Sequence, residues 1–199
     1  CDALADSVDF LWIDQEHTTI NPETLRNHLL AIRGRSKPAL VRVGGPGAEQ
    51  IKPVLDAGAH GIIVPQLESA EQVRQAVSQC RYPPAGCRGF GPLIPTDYGR
   101  QGSGYVERAN AGIFAAVMIE TAGAVEEIAE IVATPGLDSL VLGPYDLSGS
   151  LGMLGDVEHP TVVAAMEHVI SAAREAGVYV GSGMPIDADF AANQVRRGV

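Results

Sequence analysis

The chain has 199 residues, 46% of them apolar and 19% charged, with a net charge of −10. That length is enough for one well-buried domain. The acidic balance and scattered basic residues argue against nucleic acid or an anionic membrane as partner, and no apolar run approaches the ~20 residues that span a bilayer.

The chain opens on what reads as the tail of a helix, Ala3 to Ser7. Val8 to Ile13 is a strand, followed by Asp14-Gln15-Glu16-His17. Asn21-Pro22-Glu23 predicts a helix start, with Asn as cap, Pro at the first position and an acid in the first turn. Leu25, Leu29, Leu30 and Ile32 supply its apolar face. Pro38 to Val43 is the next strand, Ala48 to Ala57 a helix closed by Gly58, and Gly61 to Gln66 a strand. Ser69 caps a helix running to Cys80, with Glu71 in its first turn.

A proline- and glycine-rich insert spans Arg81 to Ser103, and such segments in compact domains are often functional or contact other subunits. Tyr105 to Ala109 reads as a short helix, Ile113 to Ile119 as a strand, and Ala122 to Ala133 as a helix. Leu137 to Leu142 is a strand, followed by a loop to Glu158. His159-Pro160-Thr161 opens a helix to Ala176 closed by Gly177; Val178 to Val180 is a strand, and Asp187 to Arg197 the final helix.

Strand and helix therefore alternate strictly through six units, the pattern of a parallel sheet with covering helices. A (β/α)8 TIM barrel has eight such units in ~250 residues. The expectation is a single barrel domain over 1–199, lacking a first strand at one end and a last strand at the other. An open doubly wound sheet of six strands is the alternative.

In a parallel barrel the active site lies at the carboxyl rim of the strands. The polar residues there are Asp14, Glu16 and His17, then Arg42, Gln66, Glu120, Asp146 and Ser182. Val117-Met118-Ile119-Glu120 and Val141-Leu142-Gly143-Pro144-Tyr145-Asp146 each carry an acid just past an apolar strand, one strand–helix–strand step apart. Two neighbouring carboxylates repel unless a cation lies between them, and a divalent, oxygen-preferring metal serves that purpose. The plainer reading is two acids that start helices.

Asp14 and His17 lie three apart on a turn, so the carboxylate can orient the imidazole and raise its basicity as a general base. Arg42 ends an apolar strand, where a guanidinium meets either a substrate anion or, structurally, Asp14 or Glu16. The peptide groups of Gly143 to Asp146 offer a seat for a carboxylate. The only lysines, Lys37 and Lys52, lie outside strands, which argues against Schiff-base chemistry. Gly44-Gly45-Pro46-Gly47 lacks the lysine of a phosphate-binding loop. Cys1, Cys80 and Cys87 have no metal-ligand spacing, and their odd count favours free thiols and a cytoplasmic location.

These stretches, with Asp56-Ala57-Gly58-Ala59, Arg81-Tyr82-Pro83-Pro84-Ala85-Gly86-Cys87-Arg88-Gly89 and Gly143-Pro144-Tyr145-Asp146-Leu147-Ser148, resemble the HpcH/HpaI aldolases, relatives of the citrate lyase β-subunit. The matches fall in order over nearly the whole chain. The resemblance implies a metal-dependent (class II) pyruvate aldolase on a (β/α)8 barrel, assembled as a homo-hexamer, a trimer of dimers. It implies Glu120 and Asp146 as ligands of Mg2+ or Mn2+, with Co2+ as a substitute, and His17 with Asp14 as the base. It further implies that Arg42 binds the keto oxygen and that the amides of Tyr145 and Asp146 bind the pyruvate carboxylate. Its substrates are a 2-oxo acid and an aldehyde. Met118 departs from the family, which often has Gln two residues before the metal Glu, and Tyr145 stands where smaller residues are common. Oxaloacetate decarboxylation or a macrophomate-synthase-like reaction would use the same enolate. A non-catalytic barrel serving as a binding module is the remaining alternative.

Overall fold

The computed structural model describes residues 1–183 and 188–199, and at position 190 the backbone alone. It divides into two compact units, residues 1–64 with 75–115, and residues 65–74 with 116–199.

In the first unit a 3-10 helix, Asp2–Ser7, stands where the tail of an α-helix was expected. β1 (Leu11–Asp14) leads to α1 (Pro22–Arg33), which starts as the sequence predicts: Asn21 Oδ1 accepts the Thr24 N–H at 2.8 Å, with Pro22 next in the chain. α1 buries Leu25, Leu29 and Ile32, one face at helical spacing. β2 (Ala39–Arg42), α2 (Ala48–Asp56) and β3 (Gly61–Val64) follow. β1 pairs with β2 and β2 with β3, both parallel, and in the first ladder Asp14 stands directly opposite Arg42. Every residue of β3 is buried, as a parallel strand covered on both faces requires.

The insert after α3 (Ala70–Gln79) is tied down within the first unit. Arg88, its side chain fully enclosed, reaches Asp56 at 2.6 Å, and Arg33 reaches Asp97 at 3.1 Å. The Tyr82 backbone exchanges two hydrogen bonds with the Asn110 side chain on α4 (Tyr105–Gly112), at 2.7 and 3.0 Å.

In the second unit, β4 (Phe114–Ile119, in this unit from Ala116 on), β5 (Ser139–Leu142) and β6 (Tyr179–Ser182) carry parallel ladders from β4 to β5 and from β5 to β6. The single helix expected over 122–133 is two, α5 (Ala122–Glu126) and α6 (Ile128–Val132), interrupted at Glu127. The expected loop after β5 begins instead with α7 (Pro144–Ser150). α8 (Pro160–Ala176) buries Val162, Met166, Val169, Ile170 and Ala173 and ends at Gly177 in the left-handed conformation, φ +72°. Each such buried Val or Ile contributes about 1.5–3 kcal/mol of transfer free energy. α9 (Ala188–Arg197) closes the chain; the expected helix start at Asp187 lies outside the described residues.

Along the sheet the strands follow chain order, β1-β2-β3-β4-β5-β6. A doubly wound sheet reverses its order at a switch point. No reversal occurs here, so that alternative is set aside, and the fold is α/β with a six-stranded parallel sheet.

Candidate active site

At the carboxyl end of β1, the first unit gathers Asp14, Glu16, His17 and Arg42. The direct pairing of Asp14 with Arg42 across the ladder lets the guanidinium engage the carboxylate twice, Nε to Oδ1 at 2.9 Å and Nη2 to Oδ2 at 2.5 Å. Arg42 Nη1 also lies 3.0 Å from Glu16 Oε2. The Glu16 N–H donates to Asp14 Oδ1 at 3.0 Å. Burial pushes the Asp14 carboxyl up, but the Arg42 hydrogen bond and charge, with the backbone amides of Glu16 and His17, outweigh it and hold the group below the usual carboxylate range.

The expectation that Asp14 orients the His17 imidazole does not match this arrangement. Both Asp14 oxygens face Arg42, and the carboxylate beside the imidazole is Glu16, 3.6 Å from His17 Nε2. The His17 side chain is 63% exposed, so solvent and substrate both have access to it. The reason is the register: Asp14 stands opposite Arg42 on adjacent strands, whereas Glu16 and His17 lie past the strand end, in the bend that follows.

The second unit holds the two acids expected to bind metal. The β4–β5 register pairs Ile119 with Leu142, so Glu120 and Gly143 are the next residues on adjacent strands. The Gly143 N–H donates to the Ile119 carbonyl at 3.1 Å and continues the ladder to that point. Glu120 is 4% exposed, a buried carboxylate at the end of an apolar strand. Its Oε1 accepts the Gln66 backbone N–H at 2.6 Å. Oε2 lies where Gly143 has no side chain: a Cβ there would stand 2.7 Å from it.

Asp146 lies in the first turn of α7, exposed, three residues beyond Gly143. Pro144 occupies the first helical position and has no N–H, so the amides the turn can present are those of Tyr145 and Asp146. Tyr145 is 48% exposed and Met118 is buried. The buried Ser182 hydroxyl has no hydrogen-bond partner among the described residues.

The donor set suits a hard divalent cation. Both acids offer oxygen, neither a thiolate nor an imidazole is beside them in the sequence, and Mg2+-type sites use one or two carboxylates with water and substrate completing the shell. Among the described residues there is no group of three or more His, Cys, Asp or Glu that could hold a metal ion.

Gln66 is legible in the sequence as a polar residue at a strand end, but not its task. That task, like the contacts of Thr121 and Glu127 with the same turn, depends on backbone groups and chain crossings that carry no sequence signal. A cavity of about 400 Å3 in the first unit, lined by Leu29, Arg33, His60, Tyr105 and Arg108 among others, contains none of the expected site residues.

Residues 2–199 match the HpcH/HpaI aldolase/citrate lyase family model. The chain is 42% identical over 180 residues to a hydroxypyruvate/pyruvate aldolase of Paraburkholderia phytofirmans, covering 87% of this chain and 69% of that one. It is 38% identical over 170 residues to a 4-hydroxy-2-oxo-heptane-1,7-dioate aldolase of Shigella sonnei, covering 85% and 65%. Among solved structures, an HpcH/HpaI aldolase from Desulfitobacterium hafniense superposes with a TM-score of 0.90 at 33% identity, covering 99% of this chain and 77% of that one. The chain belongs to the HpcH/HpaI aldolase/citrate lyase family.

Proposed function

We propose that this chain is a metal-dependent pyruvate aldolase, a carbon–carbon lyase that makes or cleaves 4-hydroxy-2-oxo acids. The observation that carries the reading is the buried Glu120 carboxylate, fixed by an amide at one oxygen and one strand away from the turn that bears Asp146. The named activities of the relatives, both aldolases, support it. The parallel strands in chain order and the superposition on a family member support a (β/α)8 barrel as the full architecture.

Glu120 and Asp146 would hold Mg2+ or Mn2+. Such an ion supplies Lewis acidity toward the oxygens of a 2-oxo acid, lowering the cost of enolate charge. The Tyr145 and Asp146 amides, free of intrahelical acceptors in the first turn, would receive the substrate carboxylate. Arg42 would stabilise the keto oxygen as it gains charge. Two of its nitrogens are committed to Asp14, so the Nη1 that meets Glu16 is the one a keto oxygen would share. His17, neutral, would take a proton from the pyruvate methyl group and return it to the aldol oxygen, with Glu16 stabilising the imidazolium between the two transfers.

The exposed Phe90 and Leu93 on the insert support assembly into a homo-oligomer, and three free cysteines support a reducing compartment such as the cytoplasm.

The test is pyruvate release from racemic 4-hydroxy-2-oxo acids, read through lactate dehydrogenase, with Mn2+ or Mg2+ and with EDTA. Turnover that needs the ion and disappears in Glu120→Gln is expected. Turnover that persists in EDTA refutes the metal-dependent mechanism, and faster CO2 release from oxaloacetate would assign a decarboxylase instead.

A further inference from the structure

The second unit contains a clasp around Glu120. Among the described residues, Gln66 is one of few non-glycine residues with positive φ, at +59°. That conformation is disfavoured for a side-chain-bearing residue, and the Gln66 side chain is exposed, so its own burial does not hold it there. At this turn the Gln66 N–H donates to Glu120 Oε1 at 2.6 Å, and the left-handed φ swings the chain that follows into residues 67–70.

Three further contacts tie the same turn to the segment after Glu120. Thr121 Oγ1 donates to the Leu67 carbonyl at 2.9 Å and accepts the Ala124 N–H at 3.1 Å, capping α5 at the same time. Glu127 Oε2 accepts the Ala70 N–H at 2.7 Å, at the break between α5 and α6. Gly123 lies so close to the turn that a Cβ there would stand 2.6 Å from the Glu68 carbonyl oxygen. Leu67 and Ala70 are wholly buried and anchor the turn from beneath.

We infer that the turn at residues 66–70 is a positioning device for Glu120, and that Gln66 acts through its backbone amide rather than its side chain. Strained residues that the surrounding structure over-determines cluster where geometry serves function. Here the turn holds one carboxylate oxygen to a donor, and the other lies beside Gly143. Loss of that bond removes one restraint on the orientation of the carboxylate, which an ion would then have to restore on binding. Gln66 is therefore a positioning residue, not a catalytic one. The inference rests on the reading of Glu120 as an ion ligand.

The experiment measures Mn2+ affinity by calorimetry for the wild type and for four variants: Gln66→Gly, Gln66→Val, Thr121→Ala and Glu120→Gln. Circular dichroism and Tm establish folding. Glycine keeps the amide and accepts the left-handed conformation, so Gln66→Gly should bind within about twofold of wild type. Valine, branched at Cβ, should drive the turn out of that conformation and weaken binding about 10–100-fold, the usual effect of losing a partner that orients a ligand. If Gln66→Val does not fold, Thr121→Ala decides, with a loss of about 10-fold expected. Unchanged Mn2+ affinity in a folded Gln66→Val or Thr121→Ala overturns the inference, because a merely structural turn would lower Tm alone. Equal losses in Gln66→Gly and Gln66→Val overturn it too, since the side chain would then be the active part. Glu120→Gln binding Mn2+ as wild type does would sink the ion-ligand reading and this inference with it, whereas loss of binding in Glu120→Gln alone sinks only the inference.

Discussion

Gly143→Ala should damage the site without touching any charged or nucleophilic group. The backbone tolerates the change, since φ at 143 is −110°, an ordinary value for alanine. The obstacle is space. A Cβ at 143 would lie 2.7 Å from Glu120 Oε2, 2.8 Å from Glu120 Cβ and 3.1 Å from the Met118 methyl carbon. Carbon atoms pack comfortably at about 3.5 Å or more, so roughly 0.7 Å of movement is needed. Met118 can yield by changing rotamer, and Oε2 by rotating, but the Glu120 Cβ cannot move without its strand. Oε1 is held by the Gln66 amide, so rotation of the carboxylate also costs that bond. Overpacking of this kind costs about 1–3 kcal/mol of stability. A misplacement near 1 Å at a reacting centre costs about 100-fold. We therefore expect kcat/KM for retro-aldol cleavage to fall about 30–100-fold, or ~2–3 kcal/mol of transition-state stabilisation. Mn2+ affinity should fall with it. Steady-state kinetics and calorimetry on a folded variant are the assays. A Gly143→Ala enzyme with wild-type kcat/KM and Mn2+ affinity would refute the argument that the missing side chain makes room for Glu120.

Three other outcomes follow from the first unit. His17→Ala should lower turnover about 10²–10⁴-fold while leaving Mn2+ affinity nearly intact; wild-type exchange of the pyruvate methyl protons in that variant would remove His17 from the role of base. Arg42→Met breaks a pair whose side chains are 14% and 22% exposed, so it should cost about 2–3 kcal/mol in urea denaturation, less than the ~3–5 of a fully buried pair. The pH dependence has a definite sign. The Asp14 pKa is lowered on folding, so its contribution is present in full above the ordinary value of 3.8 and is lost as pH falls through the lowered value. The stability gap between wild type and Asp14→Asn should therefore narrow on acidification below 3.8, and a gap that widens there would contradict the assigned pairing.

Much of the architecture was legible because its signals are local. Asn21-Pro22, His159-Pro160 and Gly177 mark helix ends through hydrogen bonds and φ preferences within a few residues. The buried strands β3 and β5 announce themselves as short apolar runs. The break at Glu127 was not legible, since apolar periodicity continues through it and the acceptor it provides serves the distant Ala70. Nor was α7, whose Pro-Tyr-Asp-Leu-Ser-Gly-Ser sequence reads locally as a loop.

For the candidate site, residue types and their positions at strand ends pointed to Asp14, His17, Arg42, Glu120 and Asp146. Partner choice was a different matter. Whether Asp14 serves His17 or Arg42 depends on the β1–β2 register, which sets Asp14 opposite Arg42. The hold on Glu120 comes from a backbone amide 54 residues away in sequence, and a backbone amide is the same in every residue but proline. The turn that carries it has a φ angle of +59° at Gln66, against the local preference of the residue. The sequence by itself thus determined which chemical groups stand at the strand ends, because periodicity, caps and strand length are short-range. Only the tertiary structure decided which group faces which, because register and non-local backbone hydrogen bonds carry no residue-type signature.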